Sequence, residues 1–228
     1  MVSMAFTDFH IHTLWSDGSA TTLEMIRTAH HNGASAVAIT DHCGVGGLRA
    51  LVEQLSRDVE LAQRHWGIVS IAGVELTHIP PIVIPDIAME AKFVGIKLVV
   101  VHGEGAVGVE PGTNLAAVGS AHVDILAHPG ALTEEVTETA HRNGVYIELS
   151  GRSCYRDANA QVASIGITAN APLIISSNAH DPGEILTEAL ADQLAEEAGL
   201  TGEMARRVLV ESPQNLMQRL KMPPLPLR

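Results

Sequence analysis

Histidines and acidic residues recur wherever a short apolar segment of this 228-residue chain ends. Imidazole and carboxylate groups together are suitable ligands for Zn²⁺, Mn²⁺ or Fe²⁺. Extended residues two positions apart point the same way, so His10 and His12 can face one ion. The candidates exceed what one tetrahedral site can use, which predicts two or three ions with a bridging carboxylate. These candidate ligands are His10, His12, Asp17, His42, Glu75, His102, His128, Asn178 and His180.

Seven short apolar segments are predicted to be the strands that position these side chains: 5–9, 36–40, 68–74, 97–101, 123–127, 145–149 and 173–176. Helical patterns lie between them, and such alternation is typical of parallel, right-handed units. An open doubly wound sheet and a closed barrel both fit this order. No glycine-rich phosphate motif follows the first strand, and a barrel would bring every strand end to one mouth. We therefore predict an α/β barrel of seven strands.

Capping signals predict where several helices begin. Thr21 and Thr133 each precede a helical pattern and can accept a hydrogen bond from its first turn. Asp181-Pro182 combines a capping carboxylate with proline at the first helical position, which predicts another helix start. Ser212-Pro213 repeats this signal and predicts the start of the last helix.

Composition argues against several classes of protein. Hydrophobic residues make up 46% of the chain, enough for a sizeable core, whereas the net charge of −12 offers no basic face to long nucleic acid. No apolar run reaches the ~20 residues of a membrane helix, and no signal peptide is visible. Cys43 and Cys154 form no CxxC pair, so a cytoplasmic location is expected. We predict one domain over residues 1–221 and a proline-rich tail over 222–228.

Taken in order, the polar strand ends resemble the motifs of the PHP domain family (polymerase and histidinol phosphatase). They are HIH at 10–12, SDG at 16–18, TDH at 40–42, GVE at 73–75, VHGE at 101–104, AHPG at 127–130 and NAH at 178–180. The resemblance runs from residue 8 to about residue 181. It implies a distorted (β/α)7 TIM-like barrel that holds up to three divalent ions and hydrolyses phosphate esters with a metal-activated water.

The resemblance also implies a set of ligands for each ion. The first ion would be held by His10, His12, Glu75 and Asn178. The second would share Glu75 as a bridge and add His102 and His128. The third would be held by Asp17, His42 and His180.

Position 178 departs from the family pattern, which commonly has aspartate there. A neutral amide is a poorer ligand than a carboxylate and cannot act as a base. We retain Asn178 as a predicted ligand through its side-chain oxygen.

Other polar residues near the strand ends are predicted to support the site. Arg152 and Arg156 follow the sixth strand, and guanidinium groups match phosphate oxygens, so we expect them to bind substrate unless they form surface salt bridges. Three acidic residues beside the candidate ligands are expected to orient the histidines, or else to be solvated. These are Asp41, Glu104 and Glu148.

The leading interpretation is a metal-dependent phosphatase that acts on a small metabolite, such as histidinol phosphate or a nucleotide-like monoester. Phosphoryl transfer needs positioning and charge neutralisation more than a protein nucleophile, and no GxSxG motif is present. One alternative is a nuclease that trims nucleic-acid ends, against which the net charge of −12 argues. The other is a non-catalytic metal-binding barrel. No membrane partner is predicted, and the exact substrate, the metal and the oligomeric state stay open.

Overall fold

The computed structural model describes residues 6–225, which form a nearly closed barrel of parallel strands with helices outside. Seven of the described strands pair in the order β1-β2-β4-β5-β6-β7-β8, and the two-residue strand β3 pairs with β4. An isolated bridge between Ile11 and Ala179 joins the two ends of this order. The strands are β1 (Thr7–Asp8), β2 (Ala36–Ile39), β3 (His42–Cys43), β4 (Val69–Leu76), β5 (Leu98–His102), β6 (Ile125–Ala127), β7 (Tyr146–Ser150) and β8 (Leu173–Ser176).

This architecture confirms the predicted seven-strand α/β barrel, and each predicted strand overlaps an observed one. The first predicted strand, 5–9, begins at a residue outside the described part of the chain. The helices are α1 (Thr22–His31), α2 (Leu48–Trp66), α3 (Ile84–Val94), α4 (Thr113–Gly119), α5 (Glu134–Asn143), α6 (Ser153–Arg156), α7 (Asn159–Thr168), α8 (Glu188–Glu197), α9 (Glu203–Arg206) and α10 (Ser212–Arg219).

Two of the predicted helix starts are confirmed by their capping hydrogen bonds. The Thr21 hydroxyl accepts a hydrogen bond from the backbone N–H of Glu24 at the start of α1. The Thr133 hydroxyl accepts one from Val136 at the start of α5. Each bond satisfies a backbone donor that a helix leaves without an internal partner.

The helix predicted to start at Asp181 is wrong in its position. Asp181 caps only a 3₁₀ turn, Pro182–Glu184, and α8 begins later, at Glu188, with Thr187 as its cap. The chain between them leaves the helical conformation at Ile185, where ψ is 138°. Ile185 and Leu186 are both buried, so packing of these two side chains overrides the local helix signal.

The last α-helix, α10, begins at Ser212 with Pro213 in its first turn, as predicted, but this is not a free helix start. The helix is already formed at α9 and passes through a π-helical segment, Arg207–Glu211, directly into α10. Proline inside a helix lacks one N–H donor and disturbs the preceding turn. The π-helical segment shifts the hydrogen-bond register just before Pro213, which lets the helix continue.

The core has two layers, separated by the two-residue period of the strands. Val69 and Ile71 of β4, with Leu98 and Val100 of β5, belong to a cluster that fills the barrel interior. Most of the remaining strand residues pack outward in a larger cluster with the helices. His102 lies two residues after Val100 on the same strand, so its side chain points into the barrel in the same way. The interior side chains are therefore apolar along the strand and polar at its carboxyl end, which forms the mouth of the barrel.

The lower end of the barrel is closed by the C-terminal part of the chain. Leu216 and Met217 of α10 are buried in the interior cluster, and Met222 and Leu225 pack against it. The described part of the predicted tail therefore lies against the barrel, and residues 226–228 are outside the described region. No helix within residues 6–225 has the length and apolar character needed to cross a membrane.

Candidate metal centre

Glu75 lies at the centre of the predicted ligands. It is the seventh residue of β4 and is fully buried. Its Oε1 atom is 2.9 Å from Nδ1 of His102 and 3.1 Å from Nε2 of His128. Its Oε2 atom is 2.8 Å from Nδ1 of His42. One carboxylate thus faces imidazoles on both of its oxygens, which is the arrangement expected of a bridging ligand.

His10 and His12 face the same carboxylate from the segment that follows β1. Their Nε2 atoms are 3.0 Å apart, and they lie 3.3 Å and 3.4 Å from Oε2 of Glu75. Ile11 lies between them and is buried in the outer cluster. The two imidazoles therefore point to one place, as their spacing in the sequence predicts.

A third group of predicted ligands surrounds Asp17 at the edge of the mouth. Its Oδ1 atom lies 3.2 Å from Nε2 of His180, 3.7 Å from Nε2 of His42 and 3.8 Å from Nδ1 of His12. The Asp17 side chain is 55% exposed, whereas His12 is fully buried. This group therefore opens toward solvent.

His128 reaches the cluster through an unusual backbone conformation. Ala127 just before it faces the barrel interior, so continued extension would point His128 outward. The φ angle of His128 is 26°, and this left-handed turn re-aims the ring toward Glu75. Such a conformation is strained for a residue other than glycine and is often found at functional sites.

Asn178 also has a left-handed backbone, with φ of 54°, and its side chain lines the mouth. Its Oδ1 atom is buried and has no hydrogen-bond partner in the described part of the chain. A buried amide oxygen without a partner is costly. Its oxygen is therefore available for the ligand role predicted from the sequence.

The residues present are suited to divalent cations. Three groups have one ligand atom per residue within 4.8 Å of one another. Among the described residues, Nδ1 of His12 and Nδ1 of His128 are buried without a hydrogen-bond partner, as is Oδ1 of Asn178. Buried polar atoms without a partner are expected where cations bind. The three groups are His12, Asp17, His42 and His180; His10, His12 and Glu75; and His42, Glu75 and His102.

The electrostatics of the cluster favour the ionised form of the Glu75 carboxylate. Burial alone would raise the pKa of Glu75, but the charge of His10 and hydrogen bonds from His102 and His128 hold that pKa well below its usual value. Burial would lower the pKa of His10, yet the carboxylates of Glu148 and Glu75 hold it well above its usual value. A positive charge at His10, either a second ring proton or a cation bound at Nε2, therefore balances part of the buried negative charge.

Three other imidazoles of the cluster have lowered pKa values, which favours the neutral state that can donate a lone pair to a cation. Burial, reinforced by the charge of His10, keeps the pKa of His12 well below its usual value. Burial also lowers the pKa of His128 and of His180, and the Arg152 guanidinium adds to the effect at His180.

The three acidic residues that were predicted to orient histidines contact different groups. Glu148 contacts two predicted ligands: its Oε1 is 2.7 Å from Nδ1 of His10, and its Oε2 accepts a hydrogen bond from the backbone N–H of His128. Asp41 instead accepts hydrogen bonds from the backbone and hydroxyl of Thr13 and from the Ser16 hydroxyl. Asp41 therefore fixes the loop that carries Asp17 rather than a histidine ring.

Glu104 does not reach the cluster. Its Oε1 atom accepts hydrogen bonds from the backbone N–H groups of Gly112 and Asn114 at the start of α4. β5 ends at His102, so Glu104 lies beyond the pleat that directs side chains into the barrel. Its carboxylate satisfies free donors of a helix N-terminus instead of orienting an imidazole.

The two predicted phosphate-binding arginines are separated by the structure. Arg152 lines an open cavity of about 520 Å³ at the mouth, and its guanidinium contacts Nδ1 of His180 and the carbonyl oxygen of Asn178. Arg156 points away and forms a two-pronged ion pair with Glu197, with N–O distances of 2.5 Å and 2.8 Å. The structure therefore brings only Arg152 to the predicted ligands.

Two residues of the site were not identified from the sequence. The ring of Tyr155 stacks on the ring of His128, with centroids 4.3 Å apart and an interplanar angle of 15°. Thr77 lies with its hydroxyl 2.7 Å from Nδ1 of His42. The only sequence signal for Tyr155 was its position three residues after Arg152, and Thr77 could have been identified from its two-residue spacing from Glu75.

Comparison with known proteins agrees with this geometry. The PHP domain model matches residues 8–205. The chain belongs to the PHP domain family. An uncharacterized protein of Methanocaldococcus jannaschii is 37% identical to this chain over 215 residues, which cover 93% of this chain and 99% of the relative. The resemblance noted in the sequence is thereby confirmed.

Solved structures share the fold at low sequence identity. Histidinol phosphate phosphatase from Lactococcus lactis, crystallised with zinc, L-histidinol and phosphate, has a TM-score of 0.62 and 12% identity. That comparison covers 87% of this chain and 95% of the other. Ochratoxinase from A. niger has a TM-score of 0.61 and 13% identity over 93% of this chain and 71% of its own. PHP membership and the ligand cluster together indicate a metal-dependent hydrolase as the general class.

Proposed function

We propose that this PHP protein hydrolyses phosphate monoesters of a small metabolite with the help of two or three divalent ions. The main support for the proposal is the position of Arg152. Its guanidinium contacts His180, and both residues line the open cavity at the mouth of the barrel. A guanidinium group next to a cation site provides two means of neutralising one phosphate.

The ligand assignment for the first and third ions follows two of the three groups of converging side chains, and that for the second follows the contacts of Glu75 Oε1. His10, His12 and Glu75 would hold one ion, with Asn178 nearby as a further oxygen donor. Glu75 would bridge to a second ion beside His102 and His128. Asp17, His42 and His180 would hold a third at the exposed edge. When bound, such ions neutralise phosphate charge and lower the pKa of water, which makes a nucleophile available near neutral pH.

The protein side chains of the mouth would bind and orient the substrate. Arg152 would donate hydrogen bonds to non-reacting phosphate oxygens, because its planar donors match them in geometry and charge. Burial raises the pKa of Tyr155 to about 12, so its phenol stays protonated and can donate a hydrogen bond at the same opening. The stack of Tyr155 on His128 forms one wall of the site.

The size of the opening favours a small substrate. A cavity of about 520 Å³ lies within the range of small-molecule sites, roughly 300–1,000 Å³. The related fold from Lactococcus lactis was crystallised with L-histidinol and phosphate, which makes histidinol phosphate one candidate. Nucleotide-like monoesters are another. We place the reaction in the cytoplasm, because both cysteines of the chain are free thiols.

A phosphate-release assay with purified protein tests this proposal. The protein would be loaded with Zn²⁺, Mn²⁺ or Fe²⁺ in turn and given histidinol phosphate and nucleoside monophosphates. We expect release that a chelator abolishes and that Glu75→Gln reduces to background, while the ion-pair variant Glu197→Gln retains it. Shortening of single-stranded oligonucleotides without release from any monoester would overturn the proposal in favour of a nuclease. Metal binding without either activity would indicate a binding barrel.

A further inference from the structure

A second cavity, of about 480 Å³, lies at the opposite end of the barrel from the metal centre. Lys97 immediately precedes β5 and His122 lies shortly before β6, so the cavity borders the amino ends of strands whose carboxyl ends lead to His102 and His128. We call it the basal cavity. All three lysines of the chain line it together with one arginine: Lys92, Lys97, Lys221 and Arg219.

The charge of the basal cavity is opposite to that of the chain. Four cationic side chains line it, whereas Asp124 is the single carboxylate among the described lining residues, and the chain as a whole carries −12. Asp124 is already engaged, since it contacts Nζ of Lys92 and lies 2.9 Å from Nη2 of Arg219. Within residues 6–225, Lys97 and Lys221 have no carboxylate at ion-pair distance.

The cations lie close enough to affect one another. Burial lowers the pKa of Lys92, and the charges of Arg219 and Lys97 lower it further, although Asp124 opposes them. The Lys92 ammonium also donates a hydrogen bond to the Lys97 carbonyl oxygen, at 2.6 Å. Like charges held together in a partly enclosed space are stabilised by an anion that enters it.

We propose that the basal cavity binds a small phosphorylated molecule, at a site separate from the metal centre. Its volume falls within the range of small-molecule sites and leaves room for an organic group beside the phosphate. Ammonium and guanidinium groups are the side chains that bind phosphate in proteins. Lys97 and Lys221 are exposed, so a ligand can reach them from solvent, while Lys92 and Arg219 are anchored by Asp124.

Equilibrium dialysis of orthophosphate, at low ionic strength and with metal-loaded protein, tests the site. We expect the double variant Lys97→Gln/Lys221→Gln to bind one phosphate fewer than the original chain, or to bind it roughly tenfold more weakly. Arg49→Gln/Arg57→Gln removes two exposed positive charges from α2 and is the matched control. Binding that is the same in both double variants, or reduced equally in both, would overturn the proposal.

Two further measurements separate this site from the catalytic one. Phosphate release from monoesters is expected to be unchanged in Lys97→Gln/Lys221→Gln, whereas Arg152→Ala is expected to lose the other bound phosphate and keep the basal one. Methylphosphonate, which cannot be hydrolysed, is expected to displace orthophosphate from Arg152→Ala protein. If it does not, the cavity takes only free phosphate and the organic-ligand part of the proposal is wrong. The single variant Lys97→Gln is the substitute if the double variant does not fold by circular dichroism.

Discussion

The Oε1 atom of Glu148 lies 2.7 Å from Nδ1 of His10, and both side chains are completely buried. This contact places the proton of the His10 ring on Nδ1 and leaves Nε2 directed at Glu75. The other oxygen of Glu148 holds the backbone of His128. One carboxylate therefore aligns two predicted ligands that come from different strands.

Replacement of Glu148 tests this alignment. We expect Glu148→Gln to weaken metal binding by about 10- to 100-fold, because loss of a charged partner makes His10 a poorer donor and less well oriented. Metal affinity would be measured by competition with a chromogenic chelator. Glu104→Gln is the matched control, since Glu104 is an acidic residue just after a barrel strand whose carboxylate contacts only the start of α4. An equal loss in both variants would contradict the assigned role.

Aspartate at position 178 is expected to strengthen the first ion site. Asn178→Asp supplies a carboxylate where an amide oxygen is now buried without a partner, so we expect metal affinity to rise by about tenfold, or about 1.4 kcal/mol. Asn170→Asp is the control, because Asn170 has the same φ of 54° but lies outside the cluster. Unchanged metal content in Asn178→Asp protein would remove this residue from the ligand set.

The two arginines after β7 are expected to differ in their effect on catalysis. Arg152→Ala should raise KM for a phosphate monoester by roughly tenfold or more, as expected when a hydrogen bond to a charged group is lost. Arg156→Ala should leave KM unchanged and lower stability slightly, because its ion pair with Glu197 is at the surface. Steady-state kinetics over a range of substrate concentrations separates the two. A larger rise in KM for Arg156→Ala than for Arg152→Ala would contradict the proposal that Arg152 binds the substrate phosphate.

Asp8 is expected to make stability depend on pH. Burial raises the pKa of Asp8 to about 6, even though backbone N–H groups of Ser177 and Leu186 donate to its carboxylate. A raised carboxyl pKa means that the folded protein holds the proton more tightly than the unfolded chain. This contribution to stability is therefore complete below pH 3.8 and is lost as the pH rises through about 6.

The variant Asp8→Asn isolates this effect. The free energy of unfolding of Asp8→Asn, relative to that of the original protein, should rise by roughly 2.4 kcal/mol between pH 4 and pH 7. Urea titrations of metal-free protein at each pH measure that difference. A difference that does not vary with pH would show that Asp8 titrates normally.

Much of the site could be predicted because period-two strands relate sequence spacing to direction. The spacing of His10 and His12 predicts that their rings point the same way, and they do. The spacing of Glu75 from Val69 and Ile71 likewise predicts that all three side chains point into the barrel. His128 does not, since its side chain reaches Glu75 only through a left-handed φ that no residue type in the sequence indicates. Its place among the predicted ligands came from its position at a strand end and from the resemblance rather than from the pleat.

Residues beyond the strand ends were less predictable because loops have no fixed period. Glu104 and Glu148 look alike in sequence, but Glu148 is inside β7 and Glu104 lies two residues after β5 ends. The same limit applies to Arg156, whose partner Glu197 comes from a distant helix. The helix start at Asp181 was misplaced because burial of Ile185 and Leu186 overrides the local capping signal. The start at Ser212 was found, but no local signal indicated that a π-helical segment joins it to the preceding helix.

The junction between β1 and β8 is narrow. Within the described residues it consists of the Ile11–Ala179 bridge, where His12 N–H donates to the Ala179 carbonyl at 2.8 Å, and of a few side-chain bonds such as Asp8 to Ser177. Predicted ligands lie on both sides of this junction. His10 and His12 follow β1, and His180 follows β8. Cations bound by histidines from both segments would therefore cross-link the two ends of the barrel. The thermal stability and protease resistance of the protein would then depend on the available metal concentration. Loss of the cations would favour opening of the barrel between β1 and β8.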